Sequence, residues 1–304
     1  MKIRQEFAKL LSQLGQKDKN IVVMVGDISH GIFKDFRNLF PHRYYNIGIC
    51  EPSMVNLAAG LSKIGLNPVI HTIAPFLIER SYEQIKLDFG YQKLPVNIVS
   101  VGGAFDYSKL GCSHHCYTDV SLISHLKNSN VILPASNAEF IKIFRQIYKN
   151  KMINYFRLPE NKHEVKINEK DIKFGKSVKI TNGKDITLVA CGSMLKEAKK
   201  AADHCITKGI SVELIYIHTL KPFDYTSIKK SVSKTRKLVT VEDLSAHDGL
   251  FSLCLKSIYE LNNIKAKQLA IEDFIRSYGS FEDLCRKSKI DHLNIIKEIK
   301  KINA

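Results

Sequence analysis

The sequence predicts an α/β protein made of two three-layer α/β domains, and three observations carry the prediction. Short runs rich in Val and Ile alternate with longer stretches of helical period, the pattern of parallel sheets covered by helices. The alternation stops over residues 159–173, a polar, charged stretch with neither period, and then restarts. Length agrees: at roughly 100–200 residues per domain, a chain of 304 residues holds about two.

Taken in order, the first strand is IVVMVGD at 21–27, where β-branched residues fit a pleated surface and Gly-Asp marks the exit. Further strands are predicted at 45–49, 68–73, 96–101, 131–133 and 153–156, with helices at 53–63, 76–89, 120–127 and 138–148. These make a first domain over 1–165. The stretch 159–173 reads as a linker, or as a hairpin that bridges two domains. A second domain over 175–304 then opens with the strand ITLVACG and a helix through Glu197 to Thr207. The strand SVELIYIHT, a short helix after Pro222, the strand KLVTVED, a helix over 250–261, the strand KAKQLAI and terminal helices complete it.

Composition narrows the function classes. A net charge of +16, from 46 basic and 30 acidic residues, raises the question of nucleic acid. The lysines are spread through nearly every segment, and the denser runs KKSVSKTRK and KEIKK carry no interleaved aromatics for base stacking. A solvated basic surface is the expectation; phosphorylated substrates or an acidic partner would suit the sign. No apolar run approaches the roughly 18–20 residues of a membrane span, and MKIRQEFAKLLSQLGQKDKN alternates charged and apolar residues, so a cytoplasmic chain is expected. The 7 cysteines are scattered, and reduced thiols are expected. Cys112, His114, His115 and Cys116 lie close together but lack a second pair at ligand spacing, so no metal site is expected there.

The most informative segment is NIGICEPSMVNLAAGLSKIGL at 46–66. A strand runs into a turn, and Glu51 sits where the next helix begins. Two readings stand side by side: a first-turn carboxylate that complements the helix dipole, or a ligand group at the carboxyl end of a strand, where open parallel sheets place their sites.

This run resembles the glutamate-bearing motif of the pyrimidine-binding domain in thiamine-diphosphate enzymes of the transketolase group, a G-I-x-E pattern followed by a helix reading A-A-G-L. Upstream, VVMVGDIS and FPHRYYNIGICE are similar to the family's strand, aspartate and F-P-x-R approach. Downstream, PVIHTIAPFLIERSYEQIK is similar to its aromatic-bearing helix, LGCSHHCYTDVSLI to its G-x-T-H segment, and ITLVACGSMLKEA, IHTLKPFD and LVTVEDLSAHDGL to its carboxy-terminal domain. The resemblance implies a pyrimidine-binding fold followed by a transketolase C-terminal-like domain. It also implies thiamine diphosphate as cofactor, whose aminopyrimidine acts as a base once a secluded carboxyl hydrogen-bonds its ring nitrogen. Glu51 matches that carboxyl. Phe76 matches the ring that stacks on the pyrimidine and Tyr82 a second aromatic, though each also fits an ordinary helix core face. Asp27 matches an aspartate near the thiazolium, and its plain alternative is a turn carboxylate. His114 matches the histidine that faces the substrate's reacting carbons. Arg157 and Arg4 match arginines that contact a substrate phosphate, Arg4 also reading as a solvated surface residue.

Two positions depart from the pattern. Leu110 stands where ordinary transketolases carry an aspartate that reads a sugar hydroxyl, and Gly102 stands where they carry a phosphate-binding histidine. The magnesium-diphosphate motif, G-D-G with a downstream asparagine, is absent; only Gly26-Asp27-Ile28 comes near it. The resemblance therefore implies the carboxy-terminal half of a split transketolase, moving a two-carbon ketol unit between sugars or sugar phosphates. A separate amino-terminal-half subunit would hold the diphosphate and Mg, around a homodimer core in an α2β2 assembly. Alternatives are a subunit like 1-deoxyxylulose-5-phosphate synthase or the 2-oxo acid dehydrogenase beta chain, and, in another class, a non-catalytic or nucleic-acid-binding paralogue.

Overall fold

A computed structural model describes residues 2–304, which divide into two compact units. The first runs to Gly103 and includes Asp119–Glu160; the second holds Ala104–Thr118 and Asn161–Ala304. No helix among the described residues is long and apolar enough to cross a membrane.

The first unit contains α1 (Ile3–Lys17), β1 (Ile21–Val25), α2 (Lys34–Leu39), β2 (Tyr44–Asn46), α3 (Glu51–Lys63), β3 (Asn67–Ile73), α4 (Tyr82–Gln84), β4 (Val96–Val101), α5 (Asp119–Ser124), β5 (Ser129–Ile132), α6 (Asn137–Ile147) and β6 (Ile153–Leu158). Its strands pair in the order β5-β6-β4-β3-β1-β2, every pair parallel. Strands covered on both faces read as continuous Val/Ile runs, as β1 and β4 do. Helix α1 buries Ile3, Phe7, Leu10, Leu11 and Leu14, one stripe of 3.6 period. Phe7 meets Phe33 and Phe140 edge-on at 5.3 and 5.5 Å, the arrangement that ring quadrupoles favour.

At the amino ends of the strands a row of asparagines crosses the sheet. Asn130 Nδ2 donates to Asn154 Oδ1 (2.8 Å), Asn154 Nδ2 to Asn97 Oδ1 (3.0 Å), and Asn97 Nδ2 to Asn67 Oδ1 (2.9 Å). Asn67 Nδ2 ends the row on the Tyr148 carbonyl at 3.1 Å. Asn130 and Asn97 both stand directly opposite Asn154 on the neighbouring strands, so the row fixes the register of β5, β6 and β4.

The second unit contains β7 (Val178–Lys179), β8 (Ile186–Cys191), α7 (Leu195–Thr207), β9 (Val212–Ile217), β10 (Thr219–Lys221), α8 (Tyr225–Thr235), β11 (Lys237–Ser245), α9 (Leu250–Ile258), β12 (Lys265–Ile271), α10 (Phe281–Lys287) and α11 (His292–Asn303). Five strands pair in the order β12-β11-β8-β9-β7, parallel except for β7. Small residues, Ala198, Ala201 and Ala202, let α7 pack closely in its core.

Several elements differ from the sequence expectation. The expected helix at 76–89 is broken: residues Pro75–Glu79 and Ile85–Tyr91 are π-helical turns on either side of the one-turn α4. A π-helical turn keeps an apolar period close to that of an α-helix, so periodicity alone does not separate the two. The expected strand at 45–49 ends at Asn46, because Gly48 takes a φ of 77° and turns the chain into α3. No strand lies between Leu158 and Val178, so residues 159–173 hold only a 3₁₀ turn at Glu169–Asp171 and not a hairpin.

Candidate active site

The carboxyl ends of β1, β2 and β3 gather the first group of candidate residues. Gly26 leaves β1 against Thr72, and a Cβ there would lie 3.0 Å from the Thr72 side chain. Asp27 follows in the left-handed region, φ 56°. Its backbone N–H donates to Asn46 Oδ1 (3.0 Å), its carboxylate accepts from Asn46 Nδ2 (3.2 Å), and Gly48 N–H donates to the same Oδ1 (3.1 Å). One amide thus ties together the loops after β1 and β2.

His71, on β3, supports the same loop from below. Its ring is buried, with Nδ1 2.6 Å from the Val99 carbonyl and Nε2 3.0 Å from Ser29 Oγ. A carbonyl only accepts, so Nδ1 carries the proton and Nε2 accepts from the Ser29 hydroxyl. Burial lowers the pKa to about 4, so the imidazole is neutral and holds Ser29 at φ 60°.

Glu51 is the first residue of α3, with Pro52 behind it, as suits a helix start. It is 1% exposed. Arg80 Nη1 donates to Glu51 Oε2 at 2.9 Å, and the guanidinium lies over the Phe76 ring, 4.4 Å from its centroid. Phe76 stands on the first π-helical turn, where the Arg80 N–H bonds the Pro75 carbonyl and Ser81 Oγ bonds the Phe76 carbonyl. Arg80, four residues on, therefore lies on the same face. Tyr82, half-buried on α4, has its phenol pKa raised by burial. The unit thus brings Glu51 and Phe76 together through Arg80.

Arg157 is 5% exposed at the end of β6, with Nη1 3.4 Å from Asp119 Oδ1. Asp119, fully buried, also accepts from the Tyr155 hydroxyl, so Ser100 Oγ, 2.8 Å away, donates to that hydroxyl. Gly103 covers the arginine stem: a Cβ there would stand 2.3 Å from Arg157 Cδ. Arg4 pairs with Glu160 at 2.6 Å, and Lys2 reaches the same carboxylate at 3.2 Å.

His114 belongs to the second unit. It ends a 3₁₀ turn, Cys112–His114, entered through Gly111 at φ 78°. Ser113 Oγ lies 3.0 Å from its Nδ1, and the Tyr107 ring meets it edge-on at 6.3 Å. His115 points inward against Phe105, and burial lowers its pKa.

The transketolase pyrimidine-binding domain model matches residues 1–165 and the transketolase C-terminal domain model matches 175–292. The chain belongs to the transketolase family. Among its relatives, this transketolase-family chain is 28% identical to a 6-deoxy-6-sulfo-D-fructose transketolase subunit of Clostridium sp. (strain MSTE9), over 97% of this chain and 92% of that one. It is 27% identical to a subunit of the apulose-4-phosphate transketolase of Phocaeicola vulgatus, over 97% and 95%. A solved split-gene transketolase, an inactive beta4 tetramer, matches with a TM-score of 0.89 and 28% identity, over 100% of this chain and 98% of that one. A 1-deoxy-D-xylulose-5-phosphate synthase of Halothermothrix orenii is 29% identical, with the chain spanning 48% of its length.

Sequence reasoning missed Asn46, His71, Asp119 and Arg80. Arg80 lies in FLIERSYEQI, where a charged residue within an apolar helical run reads as a solvent face. His71 lies within a Val/Ile run, where a histidine carries no signal of its partners.

Proposed function

We propose that this chain is the pyrimidine-binding subunit of a two-chain, thiamine-diphosphate-dependent transketolase that moves a two-carbon ketol unit between sugars or sugar phosphates. The observation that carries the reading is a buried carboxyl, Glu51, at the head of α3, joined to the Phe76 ring by a planar cation that touches both. A pair that holds a flat nitrogen donor by one hydrogen bond and one ring contact fits an aminopyrimidine. Thiamine diphosphate, when bound, supplies a carbon nucleophile. Glu51 would hold a proton at the pyrimidine ring nitrogen, Phe76 would stack on the ring, and Tyr82 would close the aromatic wall. Asp27, fixed by Asn46, would face the thiazolium side. His114 would exchange protons with substrate hydroxyls, and Arg157 and Arg4 would face a substrate phosphate.

The sequence contains no G-D-G motif with its downstream asparagine, which supports a separate subunit as the source of the diphosphate and Mg ligands. Full-length similarity to subunits of two transketolases supports the same division, as does the solved split-gene transketolase, an inactive beta4 tetramer. An α2β2 enzyme in the cytoplasm, serving carbohydrate metabolism, follows from this reading. The synthase alternative rests on similarity to half of each synthase.

The test is calorimetric titration of thiamine diphosphate and Mg into this chain, alone and mixed with a candidate chain that carries G-D-G. Tight binding in the mixture, abolished by Glu51→Ala, is the expected result, with transfer activity falling about 10²–10⁴-fold in Glu51→Gln. Binding that ignores Glu51 would overturn the reading. Pyruvate consumption by the complex in place of ketose cleavage would favour the synthase.

A further inference from the structure

Two groups of the first unit define the pyrimidine site in the reading above: the Glu51 carboxyl and the Phe76 ring. Arg80 engages both. Its Nη1 donates to Glu51 Oε2 at 2.9 Å, and its central carbon lies 4.4 Å from the Phe76 centroid. A guanidinium is flat, delocalised and rich in N–H donors, and it stacks on aromatic faces. Those are the properties by which an aminopyrimidine would be recognised on the same two groups. The Glu51 side chain is 2% exposed while the Arg80 side chain is 45% exposed, so the arginine covers the carboxyl from the solvent side. The π-helical turn Pro75–Glu79 places Arg80 on the face of Phe76.

We propose that Arg80 is an internal stand-in for the cofactor's pyrimidine ring: in the free chain its guanidinium occupies the Glu51–Phe76 site, and thiamine binds only as Arg80 withdraws. The proposal rests on the thiamine reading of the site and adds a competitor to it. The competitor gives the buried Glu51 carboxyl a partner before cofactor arrives, which an apolar site would leave without a counter-charge. It also makes the measured affinity smaller than the intrinsic one by the fraction of time the site stands open. Only a ligand that replaces both contacts at once displaces it well, which discriminates against ligands offering a ring without a donor or a donor without a ring.

The experiment uses the full chain mixed with the G-D-G chain that gives tight cofactor binding, and thiamine as probe, with affinity read by calorimetry in wild type, Arg80→Ala and Arg80→Gln, each with and without Glu51→Gln. Gln preserves much of the length and a donor without the charge, so it serves if the Ala variant folds poorly. The expected result is thiamine binding about tenfold tighter in both Arg80 variants, as for a site that the arginine holds about nine-tenths of the time, with the gain lost on Glu51→Gln. In wild type, the ¹⁵N-labelled Arg80 Nε signal, placed in the Phe76 ring current, shifts as thiamine saturates the chain. Equal or weaker binding in both Arg80 variants, with wild-type binding still dependent on Glu51, overturns the stand-in and leaves the thiamine site. An Nε signal unmoved at saturation does the same. Absence of Glu51-dependent binding in every variant overturns the thiamine reading itself, and the stand-in with it.

Discussion

In the first unit the chain after β3 is broken into two π-helical turns, and Phe76 stands on the first of them; in the second unit the helix after β8, α7, runs unbroken for 13 residues. The first core is built from phenylalanines meeting edge-on around Phe7, while the second is built from Leu, Ile and closely packed alanines. Two buried titratable groups, one from each unit, shift in opposite directions. His71 in the first unit is neutral, its pKa lowered to about 4 by burial. Glu242 in the second accepts from the Leu250 and Phe251 N–H groups at the head of α9 and from Gln268 Nε2, yet burial still raises its pKa to about 7. The comparison teaches that one α/β plan accepts π-helical turns where Glu51 and Phe76 meet, while the helix after β8 stays regular where it packs through small residues.

The hardest blow to this contrast is a core truncation. Phe7→Ala is expected to cost about 3–5 kcal/mol, since Phe7 touches four other buried rings. Hydrogen exchange should show protection lost in the first unit; equal loss of protection in α7 and β8 would break the distinction between the cores.

Next comes pH. The folded pKa of His71 lies below its unfolded value near 6.5, so its contribution is complete above pH 6.5 and is lost as pH falls toward 4, a change of about 3 kcal/mol. The folded pKa of Glu242 lies above its unfolded value near 4.5, so its contribution is complete below pH 4.5 and is lost as pH rises toward 7, by a similar ~3 kcal/mol. In amide exchange from pH 4 to 7 the two groups should therefore act in opposite directions, His71 adding protection to its unit as pH rises and Glu242 removing it. His71→Gln should abolish the first effect and leave the second.

Two glycines sharpen the picture at lower magnitude. Gly103→Ala places a methyl 2.3 Å from Arg157 Cδ, and Gly249→Ala places one 2.1 Å from Glu242 Oε2. Each is expected to cost about 1–3 kcal/mol in denaturant unfolding, because both neighbours are buried. Only the second should also change the Glu242 pH slope. The smallest effect is at a cap: Ser136→Ala on α6 should cost about 1 kcal/mol in thermal unfolding, the value of one lost capping bond.

How far these features are legible follows from what sets them. Strands such as β1 and β4 and helix α3 announce themselves through β-branched runs and a glutamate-proline start, both local properties. Helix α7 shows in its period and ends where expected, at Thr207. The π-helical turns are invisible because their apolar spacing overlaps that of an α-helix. Glu51 is legible as a carboxyl at a strand exit, but its pairing with Arg80, 29 positions away in sequence, depends on how α3 and the π-helical turn pack. Asn46 and His71 act through contacts made only once β1, β2 and β3 are side by side, so no spacing encodes them.

The asparagine row at the amino ends of the first sheet has one more consequence. Every amide in it gives an N–H to the group ahead, so four dipoles run head to tail from Asn130 to the Tyr148 carbonyl. Chains of this kind polarise one another. The floor of the sheet consequently has a sense of travel, across the strands and not along them: no single amide can reverse without opposing a neighbour, and the Tyr148 and Ile147 carbonyls, which only accept, hold the whole row in this one sense.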